Sequence, residues 1–99
     1  VGEKISPSNF HLYQNYPNPF NPSTQINYQL SKNSHIKIEV YDMMGKLVKT
    51  LVNEFQPPGY RSIKWNGQNF ENQKVSSGVY FYSLQSESFS ATKKMILLD

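Results

Sequence analysis

The strongest constraint on this chain is a side-chain period of two. In TQINYQL, residues 24–30, Ile26, Tyr28 and Leu30 alternate with Gln25, Asn27 and Gln29, and in HIKIEVY Ile36, Ile38 and Val40 alternate with Lys37 and Glu39. Successive side chains on a strand point to opposite faces, so each stretch has one dry and one wet face, as a half-buried antiparallel strand requires. SKNS between them supplies a turn, and the two strands are expected to pair as a hairpin. KLVKTLV reads as a third strand. It is entered through DMMGK, where Gly45 takes the positive φ of a bulged hairpin loop and Asp42 hydrogen-bonds the turn's own backbone. In QPPGY, Pro58 presets the second position of a type II turn and Gly59 accepts the third. YRSIKW leaves that turn with Ile63 and Trp65 on one side and Ser62 and Lys64 on the other. A polar loop, NGQNFENQKVSSG, precedes two more strands, VYFYSLQS and FSATKKMILL, joined around Glu87. No stretch carries a capped 3.6-residue period, and only MMGKLVKTLVNEF is arguable as a helix.

Short strands separated by turn chemistry imply an all-β fold: an immunoglobulin-like antiparallel β-sandwich of about seven strands. The 99 residues suffice for one modest core. Without cysteine there is no disulfide framework, thiol nucleophile or thiolate metal site, so stability comes from packing. Ten Lys and Arg against seven Asp and Glu give a net charge of +3, but only Lys93 and Lys94 are adjacent. Nucleic acid calls for a continuous stripe of cations, so no nucleic-acid partner is expected. No apolar run approaches the ~20 residues of a membrane span, and no signal peptide is evident. Residues 1–10 read as a linker from a preceding domain and 11–99 as the C-terminal sandwich.

Two stretches depart from plain alternation. In YPNPFNPST, Pro17, Pro19 and Pro22 lack an N–H, which confines the run to a sheet edge in largely polyproline II geometry, with Tyr16 and Phe20 turned inward over the core's open end. In KKMILLD, Met95, Ile96, Leu97 and Leu98 are apolar without a break and call for cover on both faces, from the sandwich or from a partner. An apolar edge strand also adds to another protein's sheet through its unpaired backbone groups. Trp65 reads as core. Tyr80, Tyr82 and Leu84 face inward, Val79 and Phe81 outward.

Chemistry-bearing patterns are sparse. His11 and His35 have no ligand partner at useful spacing, so no metal is assigned to them. Asn66, Asn69, Glu71 and Asn72 carry oxygens in one loop but lack the carboxylates of a calcium loop. Glu39 and Asp42, the nearest pair for acid–base work, are accounted for by exposure and turn formation. Nucleophile-elbow, phosphate-loop and zinc-protease patterns are absent. The chain reads as no enzyme, with no catalytic residue and no cofactor.

Five stretches, LYQNYPNPFNPSTQINYQL, IEVYDMMGKLVKTL, GYRSIKWNGQN, SSGVYFYSL and ATKKMILLD, occur in this order from Leu12 to Asp99. Together they resemble the C-terminal sorting domain, type A, of the type IX secretion system of Bacteroidota, whose sandwich is similar to the immunoglobulin-like domain of the flagellar hook capping protein. The resemblance implies a secretion signal. An N-terminal cargo domain is carried through the periplasm to the cell surface or extracellular space, the outer-membrane translocon recognises the domain, and a sortase-like surface protease commonly removes it. The residues matching the family are Pro17, Asn18, Pro19 and Phe20, then Tyr41, Asp42 and Gly45, then Trp65, Gly67, Gly78 and Tyr80. The terminal Lys93, Lys94, Met95, Ile96, Leu97 and Leu98 are the expected recognition strand; Asp99 reads as incidental. The alternative is a carbohydrate-binding β-sandwich module of a secreted hydrolase, using Tyr13, Tyr16, Phe20 and Tyr60. A passive spacer would account for the fold but not for the apolar terminus.

Overall fold

The computed structural model describes residues 7–98. Asp99 and residues 1–6 of the expected linker lie outside the described residues. Seven strands follow in order: β1 (His11–Leu12), β2 (Thr24–Leu30), β3 (Ser34–Tyr41), β4 (Leu47–Gln56), β5 (Gly59–Trp65), β6 (Gly78–Gln85) and β7 (Ser90–Leu97). They form a three-stranded sheet, β1-β2-β5, and a four-stranded sheet, β4-β3-β6-β7. Every ladder is antiparallel. The result is the immunoglobulin-like sandwich that alternation implied.

The period-two residues set the core. Ile26, Tyr28 and Leu30 with Trp65 and Leu12 face Ile36, Ile38, Val40, Tyr82, Leu84 and Met95 across the sandwich, and all are buried. Each fully buried Ile, Leu or Phe contributes about 1.5–3 kcal/mol of apolar transfer. Tyr80, Tyr82 and Leu84 point inward as expected, and Val79 and Phe81 are half-buried on the opposite face.

Neighbours differ from expectation in one respect. β2 and β3 do not form a hairpin; three residues, 31–33, carry the chain from one sheet to the other, and β2 pairs instead with β5, Thr24 opposite Trp65 through Leu30 opposite Gly59. The physical reason is that both strands have one fully dry face, and each buries it by facing the other across the core rather than by lying beside it. The Pro-Pro-Gly connection also changes sheets, from β4 to β5. Gly59 has the anticipated positive φ, but at +151° it lies well beyond the ~80° of a type II turn's third position.

Two hairpins follow expectation. Between β3 and β4 the Asp42 N–H donates to Lys46 O and the Gly45 N–H to Asp42 O, with Gly45 at φ +87°. Asp42 Oδ1 accepts from the N–H groups of Met44 and Lys46, both at 2.9 Å, and the ladder shifts register near Ile38 and Val40. Between β6 and β7 the Ser86 N–H donates to Phe89 O.

Candidate functional site: the leader and the terminal strand

Proline removes backbone donors from the YPNPF leader, so its hydrogen bonds come from the residues between the rings. The segment is not a polyproline II run. It is a series of bends between two isolated bridges, Tyr16 with Gln25 on β2 and Phe20 with Leu97 on β7, and the Tyr16-Pro17, Asn18-Pro19 and Asn21-Pro22 bonds are cis. Phe20 is buried at 1% exposure, its ring centroid 5.7 Å from that of Trp65, which in turn stands edge-on to Tyr80. Tyr16 does the reverse of what was expected. It is 79% exposed, because its bridge to Gln25 directs it to the wet face of the sheet. Phe20 therefore cannot take part in a surface row of aromatics.

The leader lies along the outer edge of β7. The Phe20 N–H donates to Ile96 O and the Leu98 N–H to Phe20 O, each at 2.9 Å; the Ile96 N–H donates to Asn18 Oδ1 (3.0 Å) and Gln14 Nε2 to Lys94 O (2.7 Å). These bonds occupy the C-terminal half of an edge that would otherwise be open. Farther back, the outward groups of Thr92 have no hydrogen-bond partner among the described residues. Met95 and Leu97 are buried, Lys93 shares their side of the strand and is half-buried, and Ile96 is half-buried on the outer face opposite Val79. Lys94 and Leu98 are exposed. The run MILL is thus covered alternately, not on both faces throughout, because β7 is an edge strand whose outer face no second layer covers.

Gly67 is what lets leader and strand meet. At φ +73° it sits so close that a Cβ there would come within 3.3 Å of Pro22 O and 3.6 Å of the Leu97 side chain. Beside it the Trp65 indole N–H donates to Gln68 O at 3.0 Å.

A buried polar knot fixes the leader from behind, and its centre, Asn15, was not singled out in the sequence. The Asn15 N–H donates to the Tyr82 hydroxyl (2.8 Å), and Asn15 Nδ2 donates to Thr24 Oγ1 (2.9 Å) and Pro17 O (3.2 Å). Thr24 Oγ1 donates to Pro17 O and the Tyr82 hydroxyl to Tyr13 O. Every buried side-chain nitrogen and oxygen among the described residues is satisfied, so burial of this knot leaves no orphaned group. Burial pushes the Tyr82 hydroxyl up to about 12, against the Asn15 N–H, which favours the phenolate. The only signal for Asn15 is a small amide ahead of a proline run, which any turn would share.

The remaining candidates serve the fold. Tyr41 donates to Glu39 Oε1 (2.7 Å) on the outer face, and that carboxylate, followed by burial, raises the Tyr41 pKa. Tyr80 donates to Ser76 O (2.6 Å). Asn69 Oδ1 is engaged by the N–H groups of Glu71 and Gln73, which closes the 66–72 loop on itself. Among the described residues no three His, Cys, Asp or Glu side chains converge.

With this geometry in view, the sequence matches the secretion system C-terminal sorting domain family over residues 14–98. The chain belongs to this family. No curated protein matches it. Among solved structures it superposes on latent dimeric PorU from Porphyromonas gingivalis (TM-score 0.70, 22% identity, 99% of this chain and 10% of PorU). It also superposes on PorZ, an essential surface component of the type IX secretion system of the same organism (TM-score 0.61, 18% identity, 91% and 11%). A third is FlgD from P. aeruginosa (TM-score 0.59, 21% identity, 75% and 57%). The sorting domain thus spans about a tenth of the first two chains, and these likenesses establish its fold. As a type IX sorting signal it interacts with that secretion machinery, and its destination is the cell surface or the extracellular space. Such domains are typically non-catalytic, and among the described residues no helix is long and apolar enough to cross a membrane.

Proposed function

We propose that the sorting domain is read by the outer-membrane translocon through β7 and its flank, with Lys93, Lys94, Met95, Ile96, Leu97 and Leu98 as the recognition strand. Met95 and Leu97 act indirectly, by anchoring the strand in the core, whereas Lys94, Ile96 and Leu98 present its accessible side. The supporting observation is that β7 is an edge strand with its backbone bonded to the leader only from Lys94 onward. Thr92 therefore offers backbone groups to an added strand, next to the Lys94 and Ile96 side chains. Residues 1–10 link the domain to an N-terminal cargo, a sortase-like protease removes the domain at the surface, and the domain itself performs no catalysis.

The test is a fusion of residues 10–99 to a periplasmic reporter in a type IX-competent host. Full-length fusion should reach the surface or medium, and deletion of Met95 through Asp99 should hold it in the periplasm. Lys94→Glu with Ile96→Ser, both off the core, should block export without lowering the unfolding free energy by more than ~1 kcal/mol. Export of that double variant at the wild-type level would place recognition elsewhere.

A further inference from the structure

We infer that the outer face of the three-stranded sheet is a binding site for a neutral oligosaccharide. Strand register arranges this face as three rungs. His11, Gln29 and Tyr60 form one, Tyr13, Asn27 and Ser62 the next, and Tyr16, Gln25 and Lys64 the third. Residues opposite one another on antiparallel strands share a face, so these side chains stand together. With rungs about 7 Å apart and strands about 4.8 Å apart, the array covers roughly 14 by 10 Å.

Its chemistry is unusual for a wet sheet face. The central column is three carboxamides, Gln25, Asn27 and Gln29, and no carboxylate stands on the array. The outer face of the other sheet, by contrast, carries Lys37, Glu39 and Lys94. Exposed tyrosines flank the column: Tyr13 and Tyr16 on one side, Tyr60 on the other, at 41%, 79% and 66% exposure. Between Tyr13 and Tyr60 lies a cleft of about 390 Å³, floored by Gln25, Asn27 and Ser62. Gln25 Nε2 donates to Asn27 Oδ1 (2.9 Å), which leaves Gln25 Oε1 as an acceptor and Asn27 Nδ2 as a donor toward solvent. Tyr13 donates to Gln29 Oε1 (2.6 Å) and keeps its acceptor capacity. The Tyr60 and Ser62 hydroxyls have no partner among the described residues. Arg61, at the cleft's margin, is engaged through Nε and Nη2 with Pro57 O.

An occupant must match alternating donors and acceptors that belong to neutral amides and hydroxyls, with Lys64 at one end of the array and Arg61 at the cleft's margin as the cations beside them, and must offer flat C–H surface to the tyrosine rings. A pyranose does both, with hydroxyls on its rim and C–H groups on its faces. An extended peptide would seek a sheet edge instead, and a nucleic acid needs more cations than Lys64 and Arg61 supply. The face is separate from β7, so this binding is independent of the sorting signal.

The experiment is native affinity electrophoresis of the whole chain in gels cast with a neutral β-glucan, a galactomannan, an arabinoxylan or, as the charged comparison, polygalacturonate. At least one neutral polymer should retard the protein more than polygalacturonate does. Tyr60→Ala and Asn27→Ala should each weaken that retardation tenfold or more while the unfolding midpoint is unchanged. Phe70→Ala, which removes an exposed ring outside the array, should be retarded like the wild type. Absence of retardation in all three neutral gels would overturn the inference, as would undiminished retardation of Tyr60→Ala. Secretion of the Tyr60→Ala fusion at the wild-type level is expected, and its loss would mean that this face serves the translocon instead.

Discussion

Phe20→Ala should unfold the domain far more readily than Tyr16→Ala, although the two aromatics flank the same prolines. Phe20 is 1% exposed against Trp65, and removing a buried Phe side chain costs about 3–5 kcal/mol when the cavity does not collapse. The variant also loosens Phe20's own backbone bonds to Ile96 and Leu98, each worth about 1 kcal/mol net. A domain of this size has roughly 5–15 kcal/mol of stability in all, so the loss is a large fraction of it. With a urea m-value of about 1.5 kcal/mol/M, 3–5 kcal/mol lowers the midpoint by about 2–3 M. The chain's single tryptophan, Trp65, reports the transition by fluorescence from beside the substituted position. Tyr16→Ala removes an exposed ring and should change the midpoint by less than about 0.5 M. Native-state hydrogen exchange should show the Leu98 and Ile96 amides losing protection in Phe20→Ala before the Val40 and Tyr82 amides do. Equal losses in the two variants, or a Phe20→Ala cost under about 1 kcal/mol, would refute the idea that the leader is fastened through that ring.

Gly67→Ala and Gly45→Ala both place a Cβ at positive φ, worth about 1–2 kcal/mol, but only at Gly67 does the new carbon meet a backbone oxygen at 3.3 Å. Gly67→Ala should therefore lower Tm by several degrees more in a thermal melt. Asn15→Ala leaves Thr24 and Pro17 short of a buried donor and should cost about 1–3 kcal/mol by urea unfolding, with coupling to Thr24→Val in a double-mutant cycle. The folded state holds the Tyr82 proton up to about pH 12, while an unfolded tyrosine releases it near 10. Stability from this group is thus complete below pH 10 and falls by about 2–3 kcal/mol as pH rises to 12. Unfolding followed across that window should show the fall in the wild type and a shallower one in Tyr82→Phe.

Strand positions were legible because alternation reports which side of a segment is dry. Which strand lies beside which was not. SKNS is as able to cross between sheets as to turn within one, and Ile26, Tyr28 and Leu30 bury equally well in either arrangement, so the β2–β5 pairing left no local mark. The Asp42–Gly45 hairpin was readable because its bonds are made within five residues. At the site, the division between Tyr16 and Phe20 was hidden, since bends have no fixed side-chain period, and it is set by long-range bridges to Gln25 and Leu97. Asn15 was hidden for the same reason: its partners Thr24 and Tyr82 lie on two different sheets. The amide column of β2 was fully visible in TQINYQL as polar alternation, but its tyrosine flanks come from β5 and from the chain before β2, and only register aligns them.

The clasp between leader and β7 also has a meaning in time. Asn18 and Ile96, which it joins, are 78 residues apart in sequence. A chain released N-terminus first holds the leader long before it holds the strand that fastens it. Through that interval Phe20 lacks its bridge to Leu97 and the core lacks Met95 and Leu97, so the domain acquires its full cooperativity only when β7 arrives. Contacts of such long separation slow folding and prolong the exposure of apolar surface. A chain stopped before residue 90 is therefore not a slightly trimmed sandwich. It is one whose first-made segment is still waiting for its partner.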